Sequence, residues 1–117
     1  MFLKIIAISL TIAVITMSSL PADLQVPTFN IWDKTLHAFG YAVISFTAFL
    51  GFLTPRITPL KISLFYTFLG IALECAQYFI PGRYFEAADM VANFIGVAIG
   101  WATYSLFRRL LPTNKIV

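Results

Sequence analysis

Residues 74–96 read ECAQYFIPGRYFEAADMVANFIG. Both ends of this stretch have the apolar character of membrane-spanning helix, and the Pro81-Gly82 pair between them is a turn signal. Yet the stretch carries Glu74, Gln77, Arg83, Glu86, Asp89 and Asn93. A charged group at membrane depth costs about 3 kcal/mol or more, so it normally faces the interior of a helix bundle or a wet cavity. The rest of the chain says which environment applies. Of its 117 residues, 60% are hydrophobic and 11% are charged, against about a quarter charged in a soluble domain. A chain this short cannot cover so much apolar surface by folding on itself. Lipid must cover the remainder, which makes this an all-α integral membrane protein, with residues 1–117 forming one domain.

Working outward, four apolar runs appear, at 5–20, about 36–53, about 62–80 and about 90–107. They predict four transmembrane helices over about 4–20, 35–54, 61–80 and 88–110. Each is near the roughly 20 residues that a spanning helix needs, the first being short. LPADLQVPTFNIWDK, TPRITPLK and PGRYFEAAD divide the runs, each with proline. The first run has Lys4 before it and small residues near its end, as a signal peptide does. The positions around Ala22 and Ser19 fit an A-x-A cleavage site poorly, because Leu20 and Met17 stand two residues before them. A retained helix is therefore expected.

The net charge is +3, but no basic cluster with interleaved aromatics points to nucleic acid. The basic residues lie between and beyond the apolar runs and set orientation. Lys4, Arg56, Lys61, Arg108, Arg109 and Lys115 fall on one side, and Lys34 and Arg83 on the other. The positive-inside rule then puts both termini in the cytoplasm and the 21–35 and 81–89 loops outside. The single cysteine, Cys75, excludes an intramolecular disulfide.

The polar residues follow helical spacing. Asp33, His37 and Tyr41 recur at every fourth position, with Gly40 on the same face. Gly70, Glu74, Gln77 and Pro81 form a second stripe, and Asp89, Asn93, Gly96 and Gly100 a third. At 1.5 Å per residue, His37 and Asn93 lie about 6 Å, and Glu74 about 9 Å, from the same, outward end. One pocket lined by the last three helices and open to the outside accommodates all three stripes. Gly70, Gly96 and Gly100 would let those helices approach closely.

DKTLHAFGY followed by ECAQYFIPGRYFEAADMVANFIGVAIG resembles the VanZ-like membrane proteins, whose pattern is D-K-x-x-H-x-x-x-Y, then E-x-x-Q with P-x-R, then D-x-x-x-N and glycine. Asp33, Lys34, His37, Tyr41, Glu74, Gln77, Pro81, Arg83, Asp89, Asn93 and Gly96 match it, over about residues 33–100. The resemblance implies a multi-pass protein of the bacterial cytoplasmic membrane with about four spans. It also implies a family link to resistance against the glycopeptide teicoplanin.

Several chemistries compete for these residues. Carboxylates with an imidazole suit zinc, manganese or iron, but a single histidine without a His-x-x-x-His pair leaves no metal or other cofactor assigned. General acid–base catalysis would use Glu74, Asp89, His37 and Asp33, since two carboxylates in different environments take different roles. Binding without chemistry would use Lys34, Tyr41, Gln77, Arg83 and Asn93, with the Arg83 fork gripping phosphate or carboxylate. The expected partner is a membrane lipid, a lipid-linked or amphipathic anionic envelope molecule, or a glycopeptide. A homo-oligomer is a further option. The alternative is a structural or accessory subunit in which the same groups only pin helices together.

Overall fold

The computed structural model describes residues 1–19, 30–80 and 87–111, with the side chains of residues 30–33 excepted. The described residues form four helices: α1 (Phe2–Ser18), α2 (Asn30–Phe52), α3 (Pro59–Gln77) and α4 (Ala87–Leu110). The last three are long and apolar enough to cross a membrane, and α1 is a shorter apolar helix. At 1.5 Å per residue, the 17 residues of α1 reach about 26 Å, slightly less than a hydrocarbon core of about 30 Å.

Local chemistry sets the boundaries. The link from α2 to α3 is tight because Thr54 Oγ1 accepts from the Arg56 and Ile57 amides at 3.2 and 2.9 Å. Pro59 then opens α3, where a missing N–H costs nothing, and the Thr58 side chain caps it by accepting from the Lys61 amide. The sequence expects α3 to run to about residue 80, but it closes at Gln77. Tyr78, Phe79 and Ile80 continue as tighter turns, each amide bonding to the carbonyl three residues back. In the other direction, α2 starts at Asn30, earlier than the expected 35. The helix therefore begins before the apolar run, which opens at about residue 36.

Antiparallel and parallel contacts alternate around the bundle in the order α1, α2, α4, α3. The start of α1 meets the end of α2, where a Cβ on Gly51 would lie 3.0 Å from the Lys4 amide nitrogen. α2 and α4 run parallel in the most extensive contact of the fold. They meet without a cushion of side chains: a Cβ on Gly96 would strike the Ala38 carbonyl oxygen and come within 2.9 Å of Tyr41 Cβ. One on Gly100 would strike Ser45 Oγ. Lower down, Phe49 packs on Tyr104 with ring centroids 5.4 Å apart, and Phe46 meets Phe107 edge-on at 5.8 Å. Gly40 takes no part, since a Cβ there would meet nothing within 4 Å. The contacting stripe of α2 passes instead through Tyr41, Ile44, Ser45 and Ala48, all buried. α3 and α1 close the ring loosely. Phe39, Phe68, Phe94 and Leu106 point outward, more than half exposed, as a lipid-facing surface requires.

Candidate functional site

Both polar stripes of α3 and α4 turn inward. α3 buries Ser63, Tyr66, Gly70, Glu74 and Gln77, and α4 buries Asp89, Asn93, Gly96 and Gly100. Glu74 is 1% exposed, Gln77 2%, and Asp89 and Asn93 4% each. These are the last turn of α3 and the first two turns of α4. The first turns of α2 within the membrane, carrying Lys34 and His37, lie beside them. All of these groups gather at one end of the bundle.

Specific bonds join them. Lys34 Nζ sits 3.1 Å from Asp89 Oδ1, an ion pair in which the lysine side chain is 32% exposed and the aspartate 6%. About one turn further in, His37 Nδ1 and Asn93 Oδ1 are 3.0 Å apart, a bond that the histidine donates when its proton is on Nδ1. Asn93 lies directly over Gly70: a Cβ on that glycine would come within 3.0 Å of Asn93 Nδ2. Glycine at 70 thus lets α3 approach α4 at the level where the amide bridges to α2. Glu74 lies close enough to Tyr41 for their charges to interact, and Tyr41 is 3% exposed. From α3, Gln77 Nε2 donates to the Ser18 carbonyl at 3.1 Å. That contact brings the end of α1 to the cluster.

The structure therefore brings together Lys34, His37, Tyr41, Glu74, Gln77, Asp89 and Asn93. The side chain of Asp33, and Pro81 and Arg83 altogether, lie outside the described residues. Among the described residues no three of His, Cys, Asp and Glu converge as a set of metal ligands. Cys75, one residue from Glu74, is exposed.

Two buried partners escaped the sequence reading, one at the cluster and one nearer the middle of the bundle. The Ser18 carbonyl is a main-chain group at the end of an apolar helix, and nothing in the sequence singles it out. Tyr66 had a detectable signal, being one turn before Gly70 on the same stripe. Its hydroxyl pairs with Thr11 Oγ1 at 2.9 Å. Thr11 donates to the Ala7 carbonyl at 2.7 Å, so Tyr66 supplies the proton of the shared bond.

Chemically, the cluster offers one paired cation, a paired carboxylate, a deeply buried carboxylate beside a phenol, an imidazole, and two amides. This set can grip an anionic group and can exchange a proton with it. Fold and cluster together define a multi-pass helical membrane protein with a buried polar centre at one end. The chain belongs to the VanZ/LLP1 family, whose model matches residues 3–108. No curated protein and no solved structure matches it.

Proposed function

We propose that the protein binds the charged head of an amphipathic or lipid-linked anionic molecule of the bacterial cell envelope at this polar cluster. The observation that supports it most is the near-complete burial of Glu74, Gln77, Asp89 and Asn93, drawn from two helices, with Asp89 and Asn93 bonded to α2 and Gln77 to α1. Keeping ionisable groups at membrane depth is costly, and such groups mark ligand or ion sites by default. In this reading both termini face the cytoplasm, the cluster opens outward in the cytoplasmic membrane, and Lys34 and Arg83 supply the positive charge. Glu74 is the candidate proton-transfer group should the bound molecule be transformed, with His37, Asp33 and Asp89 as its partners. Family membership extends the reading to glycopeptides, with teicoplanin resistance as the phenotype.

The test is expression in a susceptible bacterium of the wild type, Glu74→Gln, Asp89→Asn and Arg83→Ala at matched membrane levels. The teicoplanin inhibitory concentration should rise with wild type and fall back with each substitution. No rise with a well-inserted wild type would sever the link to glycopeptides. Loss of ligand turnover with retained binding in Glu74→Gln would mark an enzyme.

One observation favours a second reading. Lys34 with Asp89, His37 with Asn93, and Gln77 with Ser18 are bonded to one another. Such a network also suits a structural subunit whose polar groups hold four helices in register. That role predicts tolerance of Glu74→Gln but failure when Gly96 or Gly100 is enlarged.

A further inference from the structure

At the end opposite the polar cluster, α1 and α3 part and leave a groove floored by α2. Its cavity is about 420 Å³. Ile8 and Ile12 form one wall, Phe65 and Tyr66 the other, and Ala48 and Phe52 the floor. The hydroxyls of Thr11 and Tyr66, which also line it, are already committed to each other and to the Ala7 carbonyl. The surface presented to an occupant is therefore hydrocarbon. The cavity's volume lies at the lower end of the roughly 300–1,000 Å³ of ligand pockets, the scale of one fatty-acyl chain.

Cations surround the rim. Lys61 lines the cavity itself, and its ammonium donates to the Arg56 carbonyl at 2.8 Å, which places it against the α2–α3 turn. Lys4 stands 5.9 Å from the ring of Phe52, a floor residue. No acidic residue occurs in 1–22 or 34–73, the segments that build the groove and its rim. A hydrocarbon slot with cations at its rim, beside the turn that ends a membrane-spanning helix, matches one class of molecule.

We infer that the α1–α3 groove holds an acyl chain of an anionic phospholipid, with the headgroup phosphate seated between Lys61 and Lys4. This is a lipid of the leaflet on the side of the α2–α3 turn. Its site lies at the far end of the bundle from the polar cluster and stands independently of the proposed function. The lipid fills the gap between two helices that touch little, so it acts as a structural partner as well as a ligand.

The full-length protein, extracted in a mild detergent and offered equal amounts of phosphatidylglycerol and phosphatidylcholine, tests this by native mass spectrometry. Phosphatidylglycerol should stay bound in preference. Lys61→Ala should cut that preference about fivefold, the effect of one lysine facing an anionic lipid. Ile12→Trp, which fills the groove from a position already facing outward, should reduce retention of both lipids. Arg109→Ala, on α4 and away from the groove, should change nothing. Melting temperatures taken alongside show that each variant is folded. Equal retention of the two lipids overturns the inference. So does an Arg109→Ala loss as large as that of Lys61→Ala, which would mean general surface charge. Lipid-free dimers that Ile12→Trp converts to monomers would also overturn it, giving the groove to a second copy of the chain.

Discussion

At the Lys34–Asp89 pair, the two partners stand in different surroundings. The aspartate is buried and the lysine reaches partly into solvent. Removing the lysine leaves a carboxylate in a dry site, and that loss exceeds whatever the pair itself contributes. Because solvent screens part of the interaction, Lys34→Met should lower stability by about 1–2 kcal/mol. The double variant Lys34→Met/Asp89→Leu should regain most of it, read by thermal unfolding in detergent. Failure of the double variant to recover would show that Asp89 serves some other partner. Ser63 is the opposite case. Its hydroxyl oxygen is buried and has no hydrogen-bond partner among the described residues. Ser63→Ala removes an unsatisfied group, so the same melt should stay level or rise by up to about 1 kcal/mol. Spacing alone placed Glu74, Gln77, Asp89 and Asn93 on inward faces, because an ionisable side chain in an apolar run has few other places to go. Spacing could not choose partners: that Asn93 bridges to His37 and that Gln77 reaches a carbonyl of α1 depends on the angles at which helices cross.

Among the helices, the α2–α4 pair carries the fold, and two of its glycines decide whether it forms. A side chain at 96 collides with the main chain of α2, and one at 100 collides with Ser45. Main chain cannot move aside as a side chain does. Gly96→Val should cost about 3 kcal/mol or more through overpacking. Gly40→Ala should be tolerated or raise stability by about 1 kcal/mol, since alanine loses less entropy than glycine in a helix. A comparison of the two by thermal unfolding checks both statements, and equal effects would mean that α2 and α4 do not approach as described. The sequence points to Gly96 and Gly100 through their place on the polar stripe. By the same logic it also points to Gly40, which the structure removes from the contact. The face that meets α4 follows the four-residue line of His37 and Tyr41 on to Ser45, and Gly40, one residue before Tyr41, lies about 100° round the helix from it.

For the whole molecule, composition and run lengths suffice to read four helices and a membrane setting. The order of helices around the bundle is not legible. Loop lengths favour neighbours in sequence being neighbours in space, yet the broadest contact joins α2 to α4, and the close approach that decides it depends on glycines far apart in the chain. The parting of α1 from α3 is equally hidden, because an apolar helix facing a groove and one facing lipid have the same sequence.

The parallel alignment of α2 and α4 has an electrostatic consequence. Both helices begin at the end that holds the polar cluster, and each helix start carries roughly half a positive charge from its aligned peptide dipoles. The ends of α1 and α3 come to the same end of the bundle and carry about as much negative charge, so the positive potential of the two starts is felt only close to them. Asp89, in the first turn of α4, answers part of it. An anion approaching from that side is drawn by lysine, over a range set by ionic screening, about 10 Å at 0.1 M salt, and meets the backbone's positive charge only once seated against the α2 and α4 starts. Association with an anionic amphiphile in nanodiscs should therefore slow as salt is raised, and Lys34→Met should weaken that dependence. A dependence as steep in that variant as in the wild type would mean that Lys34 plays no part in capture.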